Sequence, residues 1–322
     1  MSAASASEFD IIKRYFTGIG AEYGDAVILS GGDDCALISL APEQQLALSI
    51  DTLVAGRHFP ASAGAADIAQ RTLAVAISDL AAMGAKPVAF TLAITLPSYD
   101  RDWLEGFSVG LKKSANHYQI PLVGGDTTAG PLSLTVQVQG SVPVGAALRR
   151  SGAKVGDAVY VSGFLGDAAA ALAMLEGRLP ADDQGYFHRR FYQPQARVQL
   201  GQQLLGVAHS AIDISDGLLA DAGHIASASG VCIRLNADVL PRSKALQRLV
   251  DEQLISSQQA RAYALTGGDD YELCFTAPPQ NFDPLAAVAV VEIGRVVAGE
   301  GVQCLDHSGA VLDFPHHGFQ HF

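Results

Sequence analysis

The sequence predicts an α/β protein of two domains with mixed sheets, and three observations carry that prediction. Segments of strand character alternate with segments of helical periodicity in both halves of the chain. Around Pro143–Asp157 the run PVGAALRRSGAKVGD shows no periodicity, which divides the chain into domains 1–145 and 146–322. Short motifs also recur across the two halves: SGGDDCALI (Ser30–Ile38) resembles TGGDDYELCF (Thr266–Phe275), and AISDLAAMG (Ala76–Gly84) resembles DISDGLLADAG (Asp213–Gly223).

The elements follow in order. Glu8–Phe16 places Phe9, Ile12 and Phe16 on one helical face. Leu46–Asp51 reads as a short buried strand ending in a carboxylate. Asp67 caps a helix running to about Met83, which Gly84 stops. Val88–Leu96 is a strand closed by Pro97, and Trp103, Phe107 and Leu111 mark the next helix. Ile120–Val123 is a strand ending at GGDTT, and Leu132–Gln139 alternates apolar with polar residues as a strand with one wetter face does. In the second half the strands are Ala158–Ser162, Ala211–Ile214, Val231–Leu235, Leu273–Thr276 and Val288–Ile293. Helices are expected over Asp167–Leu175, near Pro194–Ala208 and over Leu218–Ala228, with Leu179–Arg190 as a polar surface excursion.

With 322 residues, 49% of them hydrophobic and 17% charged, the chain has the material for a large core. A formal net charge of −12 without any Lys/Arg-rich run argues against nucleic acid as a partner. Cys35, Cys232, Cys274 and Cys304 are too scattered for a zinc or redox motif and read as reduced, buried thiols. The N-terminus has no secretory pattern, and the apolar window Ala74–Leu96 is broken by Asp79, Lys86 and Pro87. The expectation is a cytoplasmic protein without a membrane partner.

The chemistry resides in carboxylates. Asp33, Asp34, Asp51, Asp79, Asp126, Asp213, Asp216, Asp269 and Asp270 each lie at or near the end of an apolar stretch, or on a helix just beyond it, where open α/β folds bind ligands. Buried carboxylates are costly unless paired or metal-bound. No matching Lys or Arg stands near them in sequence, and the donors are oxygens without a His/Cys cluster, so Mg²⁺ fits and Zn²⁺ does not. Mg²⁺ held this way completes its shell with phosphate, which reconciles an acidic protein with a polyphosphate substrate. No P-loop, dinucleotide fingerprint or protein-kinase catalytic loop is present. Arg149 and Arg150 are candidate phosphate contacts, and His58 a candidate substrate contact. On the residues alone, phosphoryl transfer and metal-dependent phosphate hydrolysis both stand.

FDIIKRYF, GGDDCALI, SIDTLVAGRHF, LAVAISDLAAMGAKP, LVGGDTTAGPLSLTV, RSGAKVGDAVYVSG, AIDISDGLLADAGHIA and GGDDYELCF occur in the order seen in the thiamine-monophosphate kinase family, and the chain resembles it from about Phe9 to Phe322. The resemblance implies a fold like that of aminoimidazole-ribonucleotide synthetase, with N-terminal domains paired in a homodimer. It also implies ATP-dependent phosphorylation of thiamine monophosphate to thiamine diphosphate, assisted by several Mg²⁺ ions. Matched by motif, the metal ligands would be Asp34, Ser49, Asp51, Asp79, Asp126, Asp213 and Asp216. Gly125, Asp126, Arg150 and Ser215 would contact ATP, with Asp126 and Arg150 carrying catalysis. His58, Asp269 and Phe319 would line the acceptor site. Ile50 departs from a common hydroxyl residue, Asp269 from Glu, and Phe319 from Trp or Tyr.

Overall fold

The first helix, α1 (Glu8–Ile11), begins at a capping box: the Ser7 side chain accepts the Asp10 N–H while the Asp10 carboxylate accepts the Ser7 N–H. It continues as a π-helical turn over Ile12–Phe16. The wider turn rotates the apolar face, so Ile11, Tyr15 and Phe16 are buried and Phe9 is 78% exposed. A regular 3.6-residue period therefore places Phe16 correctly and Phe9 wrongly.

The computed structural model describes residues 7–182, 185–280, 282, 288–314 and 318. The chain forms two units, Met1–Leu80 with Ala85–Gly145, and Ala81–Gly84 with Ala146–Phe322.

In the first unit, β1 (Val27–Leu29) and β2 (Leu37–Ile38) make a small antiparallel pair flanking the GGDD loop. The main sheet is built from β3 (Gln44–Val54), β4 (Lys86–Leu96), β5 (Leu122–Ala129) and β6 (Ser133–Pro143), in the order β3-β6-β4-β5. Only β4 and β5 run parallel. Two helices, α2 (Ala65–Ala82) and α3 (Arg101–Tyr118), complete the unit. They approach closely at Gly110, where a Cβ would lie 2.3 Å from the Ala66 carbonyl oxygen. Asp100 caps α3 by accepting the N–H groups of Asp102 and Trp103.

Register gives the sheet two unlike faces. Phe90, Leu92, Ile94, Leu134, Val136 and Val138 are buried and share one face with Ser49, Asp51 and Leu53 of β3. The other face carries Leu48 (57% exposed) and Ile50 (61% exposed) on β3, Gln137 and Thr135 on β6, Ala93 on β4 and Asp126 on β5. Leu46–Asp51 is thus part of an edge strand with an open apolar row, not a buried strand.

In the second unit a seven-stranded sheet has the order β13-β12-β9-β11-β7-β10-β8. Its strands are β7 (Ala158–Ser162), β8 (Ser210–Asp213), β9 (Cys232–Asn236), β10 (Leu273–Ala277), β11 (Val290–Val297), β12 (Gly301–Leu305) and β13 (Val311–Leu312). All pairings are antiparallel except β9 with β12. The helices are α4 (Asp167–Leu175), α5 (Tyr186–Tyr192), α6 (Val198–Gln203), α7 (Leu218–Ser229), α8 (Lys244–Asp251) and α9 (Ser257–Thr266). Leu218, Ala222, Ile225 and Ala226 of α7 recur at helical spacing and join Val159, Val161, Ile212, Ile233 and Ile293 in the core. The segment expected as a polar excursion contains the start of α5, whose Phe187 is buried. Among the described residues, no helix is long and apolar enough to cross a membrane.

Candidate functional site

In the first unit, β3 and α2 bring three of the expected ligands together. Ser49 and Asp51 are two residues apart on β3 and so share a face, and the Ser49 hydroxyl donates to the Asp79 carboxylate on α2. Burial first, and the Asp79 charge second, push Asp51 up to about 6. Two carboxylates and a hydroxyl, with the Asp79 charge helping to raise Asp51, form a donor set that suits a hard divalent cation needing only one or two protein carboxylates. Among the described residues, no group of three or more His, Cys, Asp or Glu gathers around a single point. Water and phosphate oxygens would complete any Mg²⁺ shell here.

Asp126 is not with this pair. It lies on β5, opposite Ala93 of β4, and its side chain projects from the open face, whereas Asp51 belongs to the covered face. Because β3 and β5 are the two edges of the sheet, the strands bearing Asp51 and Asp126 are three spacings, about 14 Å, apart. The strand also runs through GGDTT to Ala129 rather than ending before it. Gly125 has a reason within the sheet itself: a Cβ there would sit 1.9 Å from the Leu92 carbonyl oxygen. Thr127 is buried and Thr128 exposed, as alternation along the strand requires.

Asp34 is exposed in the loop between β1 and β2, and its N–H donates to the Asp33 carboxylate at 2.9 Å. His58 follows β3, and its Nδ1 accepts the Val54 N–H at 2.9 Å. That bond puts the proton of a neutral ring on Nε2.

The second unit holds another acidic turn. Asp213 ends β8 and is buried. Ser215 and Asp216 follow in a turn closed by Asp221, whose Oδ2 accepts the N–H groups of Ser215, Asp216 and Gly217, each at 3.1 Å. Burial and then the Asp216 charge push Asp221 up to about 7, against the downward pull of those donors. Asp221 went unassigned in the sequence, although its place beside Leu218 and Leu219 in DISDGLLAD signals a buried carboxylate. The 267–271 segment docks on the same turn. Asp269 N–H donates to the Ser215 carbonyl and Tyr271 N–H to the Ile214 carbonyl, both at 2.8 Å.

Arg150 is exposed, and its backbone is held by one side chain. Ser229 Oγ donates to the Arg150 carbonyl at 3.2 Å and accepts the N–H groups of Gly152 and Ala153 at 3.1 and 3.2 Å. Phe319 lies outside the described residues.

Asp270 has partners that the local sequence hides. It accepts the Gly166 N–H at 2.7 Å, and Arg190 Nη2 stands 4.0 Å away. Arg190 also approaches Asp167 and Glu272, at 3.5 and 3.3 Å, while Arg197 makes two 2.6 Å bonds to Glu272. Burial alone would lower Arg190, but the three carboxylates outweigh it and raise it. The expectation that no arginine serves these acids fails for Asp270, because its partner comes from α5, far away in sequence.

Comparison with known proteins gives this geometry a context. Residues 32–142 match the family described as AIR synthase related protein, N-terminal domain, and residues 154–306 the corresponding C-terminal domain. The chain is 46% identical to thiamine-monophosphate kinase of Escherichia coli (strain K12), covering 99% of each sequence. The crystal structure of thiamine-monophosphate kinase from Stenotrophomonas maltophilia K279a superposes with a TM-score of 0.84 at 43% identity, covering 97% of this chain and 99% of that one. A structure of AaThiL complexed with AMPPCP and TMP aligns with a TM-score of 0.79 at 31% identity, covering 88% and 89%.

Proposed function

Because this chain belongs to the thiamine-monophosphate kinase family, built from AIR synthase related N- and C-terminal domains, we infer its reaction from that membership. It is an ATP-dependent kinase that phosphorylates thiamine monophosphate, giving ADP and thiamine diphosphate. Relatedness along the whole chain is the observation that carries this reading.

The finer assignments are our proposal. Asp34, Ser49, Asp51, Asp79, Asp126, Asp213 and Asp216 would hold Mg²⁺, and the Ser49–Asp51–Asp79 grouping supports this for the first unit. Bound Mg²⁺ supplies charge neutralisation at the transferring phosphates. Gly125, Asp126, Arg150 and Ser215 would orient ATP, with Arg150 countering charge on its phosphates. His58, Asp269 and Phe319 would receive thiamine monophosphate. The acceptor is an ionised phosphate oxygen at neutral pH, so no residue has to act as a strong general base. Positioning for in-line transfer and electrostatic stabilisation suffice.

We further propose a cytoplasmic homodimer. Its support is the open apolar row of β3 together with the separation of Asp126 from Asp51. If β5 of one copy lies beside β3 of the other, the strand bearing Asp126 comes next to the strand bearing Asp51 of the other copy, and each site would draw on both chains.

The reaction is tested by incubating the protein with Mg²⁺, ATP and thiamine monophosphate and separating the thiamine esters by chromatography. Thiamine diphosphate formed in step with ADP is the expected result. Orthophosphate without thiamine diphosphate would make the protein a phosphohydrolase.

A further inference from the structure

Asp269 and Tyr271 both have left-handed backbone, with φ of +69° and +50°. Side chains other than glycine rarely adopt this conformation, and two within three residues persist only where their surroundings over-determine them. Here the surroundings do so from both sides. The N–H groups of Asp269 and Tyr271 are tied to the carbonyls of Ser215 and Ile214. Gly268 lies so close to the same turn that a Cβ would meet the Ser215 carbonyl oxygen at 2.4 Å. Between the two strained residues, Asp270 turns inward, 1% exposed, onto the Gly166 N–H and Arg190.

With the backbone fixed at three successive residues, Asp269 and Tyr271 are presented together. The Tyr271 hydroxyl donates to Asp269 Oδ1 at 3.1 Å. An aspartate side chain has two rotatable bonds, and a rigid phenol on a clamped backbone selects one orientation of its carboxylate. The aspartate arm is short, so that orientation decides where its carboxylate is presented.

We propose that Tyr271 is a positioning residue for the acceptor: its hydroxyl holds the Asp269 carboxylate in the orientation that receives thiamine monophosphate. It sets acceptor affinity rather than turnover. This rests on the assignment of Asp269 to the acceptor site, and the experiment separates the two.

Steady-state kinetics on Tyr271→Phe, Asp269→Ala and the double variant make the test, with calorimetric titration of thiamine monophosphate as a direct binding readout. Tyr271→Phe should raise KM for thiamine monophosphate about tenfold, the size of one hydrogen bond to a charged group. KM for ATP, kcat and the melting temperature should stay near wild type. Asp269→Ala should raise the same KM, and adding Tyr271→Phe to it should change nothing further, as expected of two residues acting through one interaction. An effect of Asp269→Ala with none of Tyr271→Phe would overturn the role of Tyr271 alone. No effect of Asp269→Ala on acceptor KM or binding would overturn the assignment beneath it. A loss of kcat and melting temperature in Tyr271→Phe, with acceptor binding unchanged, would reduce Tyr271 to a structural part and overturn the proposal.

Discussion

At Asp270 a carboxyl group is enclosed beside a single arginine, and burial pushes it up to about 8 from an ordinary 3.8. Between those values the folded protein keeps a proton that the unfolded chain releases, so this group makes stability fall as pH rises from about 4 to about 8. Asp270→Asn keeps an acceptor for the Gly166 N–H and removes the titration. Its melting temperature, compared with wild type across that window, should show a shallower decline, with the gap closing in its favour towards pH 8. At Asp126 the expected outcome is different in kind. Asp126→Asn should lower kcat by about a hundredfold or more, as loss of a charge-stabilising group in a site does, while circular dichroism and melting temperature barely move, because the side chain is exposed on the sheet. Near-normal turnover would remove Asp126 from the machinery. Ser229→Ala addresses the loop bearing Arg150: KM for ATP should rise severalfold, with kcat less affected.

Strand β5 shows what local pattern can and cannot deliver. The apolar start at Leu122 and Val123 is legible in the sequence, but the reason within the sheet for glycine at 125 is not. Neighbouring β4 imposes that glycine, since no Cβ fits against Leu92. Gly125→Ala should therefore weaken the β4–β5 pairing and lower unfolding free energy in urea by about 1–3 kcal/mol, with activity lost through displacement of Asp126. The alternating strand β6 and the helices α3, α4 and α7 are legible from periodicity, whereas Asp67, expected to cap α2, lies inside a helix that begins at Ala65. α8 and α9 were not anticipated, although Ser243 and Ser256 cap them. Along α1 the π turn shifted the buried face. α5 was hidden because its charged residues, Arg190 above all, are satisfied by Asp167, Asp270 and Glu272 from distant segments. Pairing across long sequence separation is what a single sequence withholds. The same limit applies to the site: the resemblance groups Ser49, Asp51, Asp79 and Asp126 as expected ligands, but the sheet order that separates Asp126 from the other three is not legible in the sequence.

For the whole molecule, that separation makes a strong demand on assembly. Sedimentation should give a dimer, and Leu48→Lys with Ile50→Lys, which put charge on the open apolar row, should yield a folded monomer with little activity. Mixing inactive Asp51→Asn and Asp126→Asn proteins after exchange of chains should restore about a quarter of wild-type activity, since half the dimers are mixed and each holds one intact site. No recovery after demonstrated exchange would confine each site to a single chain. The cysteines supply the means of watching this. Cys232, Cys274 and Cys304 are buried, with burial pushing Cys274 up to about 12, whereas Cys35 is exposed beside Asp34. Each copy thus carries one thiol open to a maleimide. Spin labels attached there, without any engineered residue, would turn association into a distance distribution and any response of the GGDD loop to nucleotide into a change of line shape.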